Sequence, residues 1–304
     1  MCLYKCLFIC YNISMNRYDV LNKHAKYLIL KALETSESGH IGGSLSSLDI
    51  LITLFEHRLL ETSEPLFISN GHISPAVYSV LSLYNIASEE AFIKGFRQIN
   101  SAYEGHISRH VEGVWYGTGP LGIGVSVAAG VALGLINENK HVFCVMGDGE
   151  CNEGQVHEMA QFAHKYKLSN LTIFCDYNRV QLSGSTNSVM PLDIKELFKA
   201  YKWSVIEVDG HNTNALKTAI DTASDAPKMI LCNTIMGYGI PYFETDGRAY
   251  KSTWHGKTPD KQTLNTLSKD YILEDNERII LNNYRNEIAD KADKYSKTWD
   301  NIAI

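Results

Sequence analysis

The stretch that decides the fold is residues 141–184, HVFCVMGDGECNEGQVHEMAQFAHKYKLSNLTIFCDYNRVQLSG. It opens with a short, β-prone apolar run, His141 to Met146, which predicts a buried strand. The run stops at Gly147-Asp148-Gly149, where two glycines permit a tight turn, and a second apolar run follows at 171–175. Between the runs, side chains recur at helical spacing at Val156, Met159, Ala160, Ala163 and His164. The segment therefore predicts one βαβ unit with two neighbouring parallel strands.

Two polar residues stand where these strands end, Asp148 after the first and Asn178 after the second. The carboxyl ends of parallel strands meet at one edge of a sheet, where ligands of open α/β sheets bind. A carboxylate, an amide oxygen and backbone carbonyls form an all-oxygen set suited to Mg²⁺ or Ca²⁺, and Mg²⁺ usually completes its shell with phosphate oxygens and water. Gly-Asp-Gly alone is equally compatible with a plain turn. Asn178 at this distance, with Glu153 and Glu158 between, favours a metal–diphosphate site.

The composition is that of an ordinary globular protein, with 45% hydrophobic and 20% charged residues in a chain of 304. A formal charge of −6 gives no support for nucleic-acid binding, which requires a basic face. No apolar run reaches about 18 residues, so we expect no membrane-spanning helix. Cys144, Cys175 and Cys232 fall in predicted buried strands. We therefore expect free thiols and a reducing, cytoplasmic compartment.

Five candidate strands alternate with helices, at 66–69, 142–146, 171–175, 204–208 and 229–233. This alternation predicts an α/β fold with a doubly wound, mostly parallel sheet and helices on both faces. We assign residues 15–304 to one such domain, which ends in a charged helix pair after Pro259 to which no chemistry is assigned. Residues 1–14 have a short apolar core without a small-residue cleavage site, and predict an extension outside the fold. A polar loop is expected at 240–253.

Four histidines are predicted on loops at the ligand-binding edge of the sheet. His40 lies in a glycine-rich loop after the first helix, which Gly39 is expected to end. His72 follows the first strand, His106 lies in the next long loop, and His255 follows the last strand. Because its pKa lies near 6.5, histidine gives and takes protons at neutral pH. A single loop histidine is often structural, but four at one edge favour a site.

A glycine run at 117–124 admits more than one interpretation. It contains Gly119, Gly122 and Gly124 and precedes a helix, but the spacing is not GxGxxG and no clear strand precedes it. The following helix, GVSVAAGVALGL, is rich in small residues, as close helix packing requires. Its N-terminus is also suited to face a phosphate.

Five motifs together resemble the transketolase family of thiamine-diphosphate enzymes. They are SGHxGGSLS at 38–46, SNGHxxPAxY at 69–78, TGPLGxG at 118–124, GDGxxxEGxxxE at 147–158 and WHGKxP at 254–259. The resemblance implies that Asp148, Asn178 and the backbone carbonyl of Val180 hold Mg²⁺, or Ca²⁺ in its place, against the cofactor's diphosphate. It also implies that Glu153 and Glu158 face a partner's cofactor site across a dimer interface.

The same resemblance implies roles for the remaining motif residues. Cofactor contacts are implied for His72, Gly119, Pro120, Leu121, Gly147, Asp148, Gly149, Glu153, Asn178, Leu182 and His255. Catalytic roles are implied for His40, His106 and His255, with His40 and His255 moving protons on the hydroxyls of a donor sugar. His106 would bind the donor's terminal hydroxyl, and Leu182 would lie against the thiazolium ring.

The implied reaction is the transfer of a two-carbon ketol unit from a ketose to an aldose. The resemblance covers half of a full-length transketolase, without the pyrimidine-binding domain and its activating glutamate. We therefore expect a split enzyme in which a second chain completes each site, as a heterotetramer. The rival hypotheses are a 2-oxo-acid dehydrogenase α-subunit, a non-catalytic scaffold and a dinucleotide oxidoreductase. The long 240–253 loop favours a specialised sugar pathway over central pentose metabolism.

Overall fold

The computed structural model describes residues 16–298, so the predicted extension at 1–14 lies outside the described residues. Seven strands are present in this part of the chain: β1 (Leu66–Ile68), β2 (Val142–Gly147), β3 (Leu171–Tyr177), β4 (Val180–Gln181), β5 (Gly184–Ser185), β6 (Ser204–Asp209) and β7 (Lys228–Asn233). Five of them form one sheet in the order β1-β2-β3-β7-β6 with every pairing parallel, and β4 and β5 form a small antiparallel hairpin. The predicted parallel α/β sheet is confirmed, and the hairpin was not predicted.

The central strands are covered on both faces. Consecutive side chains alternate between the two faces of a sheet, yet the first five residues of β2, the first six of β3 and the first five of β7 are all buried. Such continuous burial requires helices on either side, as in other parallel sheets. The edge strand β6 is partly exposed along its length, which fits its place at the margin.

The helices, in chain order, are α1 (Arg17–Ser36), α2 (Ile41–Ser46), α3 (Leu48–Leu54), α4 (Ser74–Leu83), α5 (Glu89–Gly95), α6 (Ile123–Gly134), α7 (Gly154–Lys165), α8 (Thr186–Val189), α9 (Ile194–Ala200), α10 (Thr213–Asp221), α11 (Pro241–Arg248), α12 (Lys261–Ser268), α13 (Asp275–Glu287) and α14 (Ala289–Lys297). A π-helical turn at Phe55–Leu59 and a last turn at Leu60–Thr62 extend α3. None of the helices within residues 16–298 combines the length and apolar character needed to cross a bilayer.

The predicted loop at 38–44 is wrong beyond His40, because α2 begins at Ile41. Its glycines serve close packing and not loop flexibility: a Cβ on Gly42 would lie 2.7 Å from the backbone oxygen of Trp254. The end of α1 also differs from the prediction, since Glu37 and not Gly39 takes the left-handed capping conformation, with φ of 50°.

The predicted loop at 240–253 is likewise wrong, since most of it forms α11. Proline is favoured in the first turn of a helix, where Pro241 stands. Phe243 is fully buried, and a side chain on Gly247 would clash with the backbone oxygen of Met236. The polar composition of this segment therefore reflects one exposed helix face. The charged C-terminal part forms three helices, α12 to α14, where a pair was predicted.

Helix α6 packs directly on the sheet at its first turn. A Cβ on Gly124 would lie 2.6 Å from the Cα of Ser69, just beyond β1. By contrast, Gly130 and Gly134 have nothing within 4 Å of an added Cβ. The small residues of this helix therefore serve close packing on one face, where Ala128 and Ala132 are also buried, and leave an open surface on the face that carries Gly130 and Gly134. The four described cysteines, Cys144, Cys151, Cys175 and Cys232, are buried and free, as predicted for the three in strands.

Candidate active site at the carboxyl edge of the sheet

A cavity of about 420 Å³ lies at the carboxyl ends of the strands. Asn70 and His72 reach it from beyond β1, Asp148 from beyond β2, and Asn178 from beyond β3. The β2–β3 pairing places Gly147 beside Asp176, so the two predicted polar turns become neighbours. The right-handed βαβ crossover thus brings together residues thirty positions apart in sequence.

Asp148 is the carboxylate at the centre of this edge. It is buried, and its Oδ2 accepts the backbone N–H of Arg179 at 2.6 Å. Burial, and after it the negative charge of Asp176, raises the pKa of Asp148 to about 8. Asn178 is buried beside it, with Oδ1 accepting the backbone N–H of Val180 at 2.9 Å. Both side chains and Val180 line the cavity.

A second buried carboxylate, Asp176, orients the amide of Asn178. Its Oδ2 accepts hydrogen bonds from Ser46 Oγ at 2.5 Å, Ser47 Oγ at 2.9 Å and Asn178 Nδ2 at 3.1 Å. Its Oδ1 accepts the hydroxyl of Thr234. With the amide nitrogen held by Asp176, the oxygen of Asn178 is kept on the opposite side. Sequence analysis missed this role because three of the four donors, Ser46, Ser47 and Thr234, come from distant segments.

The four predicted histidines meet in the same cavity. The ring centroid of His40 lies 5.3 Å from that of His72, 5.8 Å from that of His106 and 6.2 Å from that of His255. The rings of His72 and His255 are 5.4 Å apart. Burial is the main cause that lowers the pKa of each of the four, to about 4 for His40. The imidazoles are therefore neutral at pH 7, each with one donor and one acceptor nitrogen.

Arg97 is a neighbour of this cluster that sequence analysis did not identify. Its Nη1 donates to Ser38 Oγ at 2.5 Å, and its Nη2 lies 3.4 Å from His40 Nδ1. Arginine has no acceptor, so Nδ1 of His40 is the acceptor and the proton of this ring resides on Nε2. The positive charge also contributes to the lowered pKa values of His40 and His106. The sequence contains no signal for this contact beyond Gly105, which leaves room for the guanidinium.

The remaining predicted residues divide into two groups. Those that line the cavity are Leu121, Gly147, Gly149, Glu153 and Leu182. Gly119, Pro120 and Glu158 do not line the cavity. Gly119 and Pro120 are exposed in the loop before α6, and Glu158 is exposed on α7. Asn70, Glu150 and Gln181 also line the cavity and were not singled out from the sequence.

The oxygen ligands that line the cavity suit a divalent cation bound together with an anionic ligand. Asp148, Glu150, Glu153 and Asp176 line it, and none of the described lining residues is lysine or arginine. Two buried polar atoms on its wall, Asn70 Oδ1 and Gln181 Nε2, have no partner within the described chain. No group of three His, Cys, Asp or Glu side chains within residues 16–298 is arranged to hold a metal. A cation here would therefore rely on one carboxylate, neutral oxygens and ligand phosphates, as Mg²⁺ often does.

Comparisons with known proteins identify the family to which the chain belongs. The family model described as "Transketolase, thiamine diphosphate binding domain" matches residues 19–303. The 6-deoxy-6-sulfo-D-fructose transketolase subunit SqwG of Clostridium sp. (strain MSTE9) is 35% identical over 222 residues, which are 68% of this chain and 80% of that protein. An apulose-4-phosphate transketolase subunit of Phocaeicola vulgatus is 31% identical over 271 residues, 84% of this chain and 92% of that protein.

Full-length enzymes match over part of their length. Transketolase 2 of Escherichia coli is 34% identical over 269 residues, which are 80% of this chain and 39% of the enzyme. The crystal structure of transketolase from Campylobacter jejuni superimposes with a TM-score of 0.75 at 25% identity, covering 92% of this chain and 49% of that one. The chain thus spans half or less of these two enzymes. It belongs to the transketolase family, within which it corresponds to the thiamine-diphosphate-binding domain.

Proposed function

We propose that this chain is the thiamine-diphosphate-binding subunit of a two-chain transferase that moves a two-carbon ketol unit from a ketose to an aldose. The observation that carries the proposal is the shared cavity, in which Asp148 and Asn178 face four neutral histidines at the carboxyl edge of the sheet. Asp148 and Asn178 suit a metal ion with a diphosphate, and the histidines suit proton transfer on sugar hydroxyls. The proposed reaction needs both sets of residues in one cavity.

The metal would be Mg²⁺, or Ca²⁺ in its place, held by Asp148, Asn178 and the carbonyl of Val180. A diphosphate alone would meet carboxylates in a cavity without lysine or arginine among its described lining residues. Binding of the cofactor should therefore depend on the cation. When bound, thiamine diphosphate supplies stabilisation of a carbanion, which the side chains of the protein cannot provide.

The histidines would manage the protons of the sugar substrate. His40 carries its proton on Nε2, because Arg97 occupies the side of Nδ1. The Nε2–H group of His40 can donate to a substrate oxygen, while the neutral ring of His255 can accept a proton. His72, next to His255, would orient the cofactor, and His106, exposed at the mouth, would orient the donor's terminal hydroxyl.

A second chain would complete the site. Leu182, Met190, Leu121 and Val189 line the cavity mouth and are 68%, 55%, 42% and 42% exposed. Such an exposed apolar rim is typical of a surface that another protein covers. Two relatives whose names describe subunits match over 80% and 92% of their length. We propose a heterotetramer in which the open faces of α6 and α7, with Glu153 and Glu158, lie at a further interface.

The substrates would be sugars or sugar phosphates. The names of two relatives specify 6-deoxy-6-sulfo-D-fructose and apulose 4-phosphate, which are specialised sugars. We propose that this chain also serves a specialised sugar pathway, in the cytoplasm, where its buried free thiols stay reduced.

The first test is calorimetric titration of the full chain with thiamine diphosphate, with and without Mg²⁺. We expect binding that requires Mg²⁺ and that Asp148→Ala abolishes, since the remaining ligands are neutral oxygens. Asp270→Ala, at an exposed position on the C-terminal part, is the control and should bind normally. Unchanged affinity in Asp148→Ala would disprove the metal assignment, and binding of NAD instead of thiamine diphosphate would support the dinucleotide hypothesis.

The second test is native mass spectrometry of the chain purified gently from its source. Co-purification with an unlike chain, thiamine diphosphate and Mg²⁺ would support the split enzyme. Ketol transfer by that complex should then be assayed with xylulose 5-phosphate, fructose 6-phosphate, 6-deoxy-6-sulfo-D-fructose and apulose 4-phosphate as donors. A complex that binds cofactor but transfers no ketol unit would favour the scaffold, and decarboxylation of a 2-oxo acid would favour the dehydrogenase α-subunit.

A further inference from the structure

Glu150, the residue directly after Gly147-Asp148-Gly149, is a buried carboxylate with three partners. It is 1% exposed. Its Oε1 accepts the hydroxyl of Ser69 at 2.6 Å and the backbone N–H of Gly122 at 2.8 Å. Its Oε2 accepts the backbone N–H of Gly147 at 2.8 Å. The last bond caps the short turn at Asp148–Asn152, and the other two reach segments far away in sequence.

Each partner belongs to a different segment of the proposed cofactor site. Ser69 immediately precedes Asn70 and lies three positions before His72, and both of these residues line the cavity. Gly122 follows Leu121, which lines the cavity, and is the N-cap residue of α6 in a left-handed conformation, with φ of 77°. Gly147 precedes Asp148. One side chain therefore joins the ends of β1 and β2 to the loop before α6.

A carboxylate is required here because the two backbone partners, Gly122 and Gly147, can only donate. An ionised carboxylate accepts at both oxygens, whereas an amide accepts at one and donates at the other end. In Glu150→Gln, the NH₂ group would face the N–H of either Gly122 or Gly147, whichever way the amide is turned. One buried N–H would then lack an acceptor, at almost unchanged side-chain volume.

We propose that Glu150 is a positioning residue that holds the diphosphate-binding backbone in its binding-ready arrangement before the cofactor arrives. It acts through Gly122, Gly147 and Ser69 and does not itself bind the metal. The proposal rests on the proposed function for its ligand, but the geometry it describes exists in the ligand-free chain. Preorganisation of this kind raises affinity because less ordering remains to be done on binding.

The test compares Glu150→Gln with Glu277→Gln in the full chain. Glu277 is the control, since it is a buried glutamate like Glu150 but forms an ion pair, with Lys23 Nζ at 2.7 Å, and does not line the cavity. We expect about a tenfold loss of affinity for thiamine diphosphate with Mg²⁺ in Glu150→Gln, equivalent to about 1.4 kcal/mol. Glu277→Gln should lose stability while its affinity stays within about twofold.

Hydrogen–deuterium exchange without ligand provides the second readout. Peptides covering 119–124 and 145–150 should exchange faster in Glu150→Gln and remain unchanged in Glu277→Gln. Ser69→Ala removes one of the three hydrogen bonds and should give a smaller increase of exchange in the same peptides. This variant tests the proposal if Glu150→Gln does not fold. Unchanged exchange in both site variants, or equal affinity losses in Glu150→Gln and Glu277→Gln, would overturn the proposal. Failure of both the wild-type chain and its complex with the second chain to bind the cofactor would refute the proposed function and leave the exchange test standing.

Discussion

Asp176→Asn offers the sharpest test of how the buried polar network controls the cofactor site. The Asp176 carboxylate is 1% exposed and accepts four side-chain hydrogen bonds, from Ser46, Ser47, Asn178 and Thr234. The substitution keeps the shape of the side chain, removes its charge and replaces one acceptor oxygen by a donor.

The expected magnitude follows from the change in hydrogen bonding. Bonds to a charged acceptor contribute about 1.5–3 kcal/mol and neutral ones about 0.5–1.5, so each of four bonds loses about 1 kcal/mol. Removing a buried charge offsets part of this loss, and we expect a net loss of about 2 kcal/mol in the free energy of unfolding. Asn178 also loses its orienting partner. Removing groups that orient metal ligands typically costs 10- to 100-fold in metal affinity, so we expect Mg²⁺ affinity to fall by roughly that factor.

The assay is a Mg²⁺ titration at saturating thiamine diphosphate, together with urea unfolding. Glu64→Gln is the matched control, because Glu64 is also buried and accepts from Arg58, Thr62 and His141, but lies away from the cavity. Glu64→Gln should unfold more easily with unchanged Mg²⁺ affinity. The reasoning is refuted if Asp176→Asn binds Mg²⁺ like the wild type, or if both variants lose affinity alike.

Three further outcomes are expected away from the metal ligands. Gly124→Ala should destabilise the chain by about 1–3 kcal/mol in urea unfolding, because its Cβ would lie 2.6 Å from Ser69 Cα; Gly130→Ala on the same helix should be neutral or stabilising by up to about 1 kcal/mol, and equal effects would contradict the packing. Burial lowers the pKa of His141 to about 4. His141 should therefore contribute a loss of stability of up to about 3 kcal/mol as pH drops from 6.5 to 4, because only the unfolded chain takes up this proton. His141→Gln should reduce the slope of that profile and leave the part that comes from the four cavity histidines, whose pKa values are also lowered. Lys228→Met should cost about 1–3 kcal/mol in thermal unfolding without changing cofactor affinity, because three carbonyls at the end of α10 lose their donor.

Much of the fold was predictable because its signals are local. The apolar runs at 142–146 and 171–175 are continuous and end at glycine or polar residues, and the strands follow them within two residues. The four histidines line the cavity at the predicted edge of the sheet, but only His72 comes soon after a strand, whereas His255 follows α11. The loop predicted around His40 was wrong because Gly42 serves packing inside a helix, where a neighbouring backbone leaves no room for a side chain. The loop predicted at 240–253 was wrong because its polar residues form the exposed face of a helix.

The sequence by itself thus determined the order of strands along the chain, the turn that carries Asp148 and the set of candidate histidines, since periodicity and turn chemistry act over a few residues. Only the tertiary structure decided which groups share a buried environment. Ser46 reaches Asp176 across 130 positions, and Ser69 reaches Glu150 across 81. The raised pKa of Asp148 depends on burial and on Asp176, and the proton on His40 Nε2 depends on Arg97. Such properties arise from desolvation and from neighbours in space, which only the folded chain brings together.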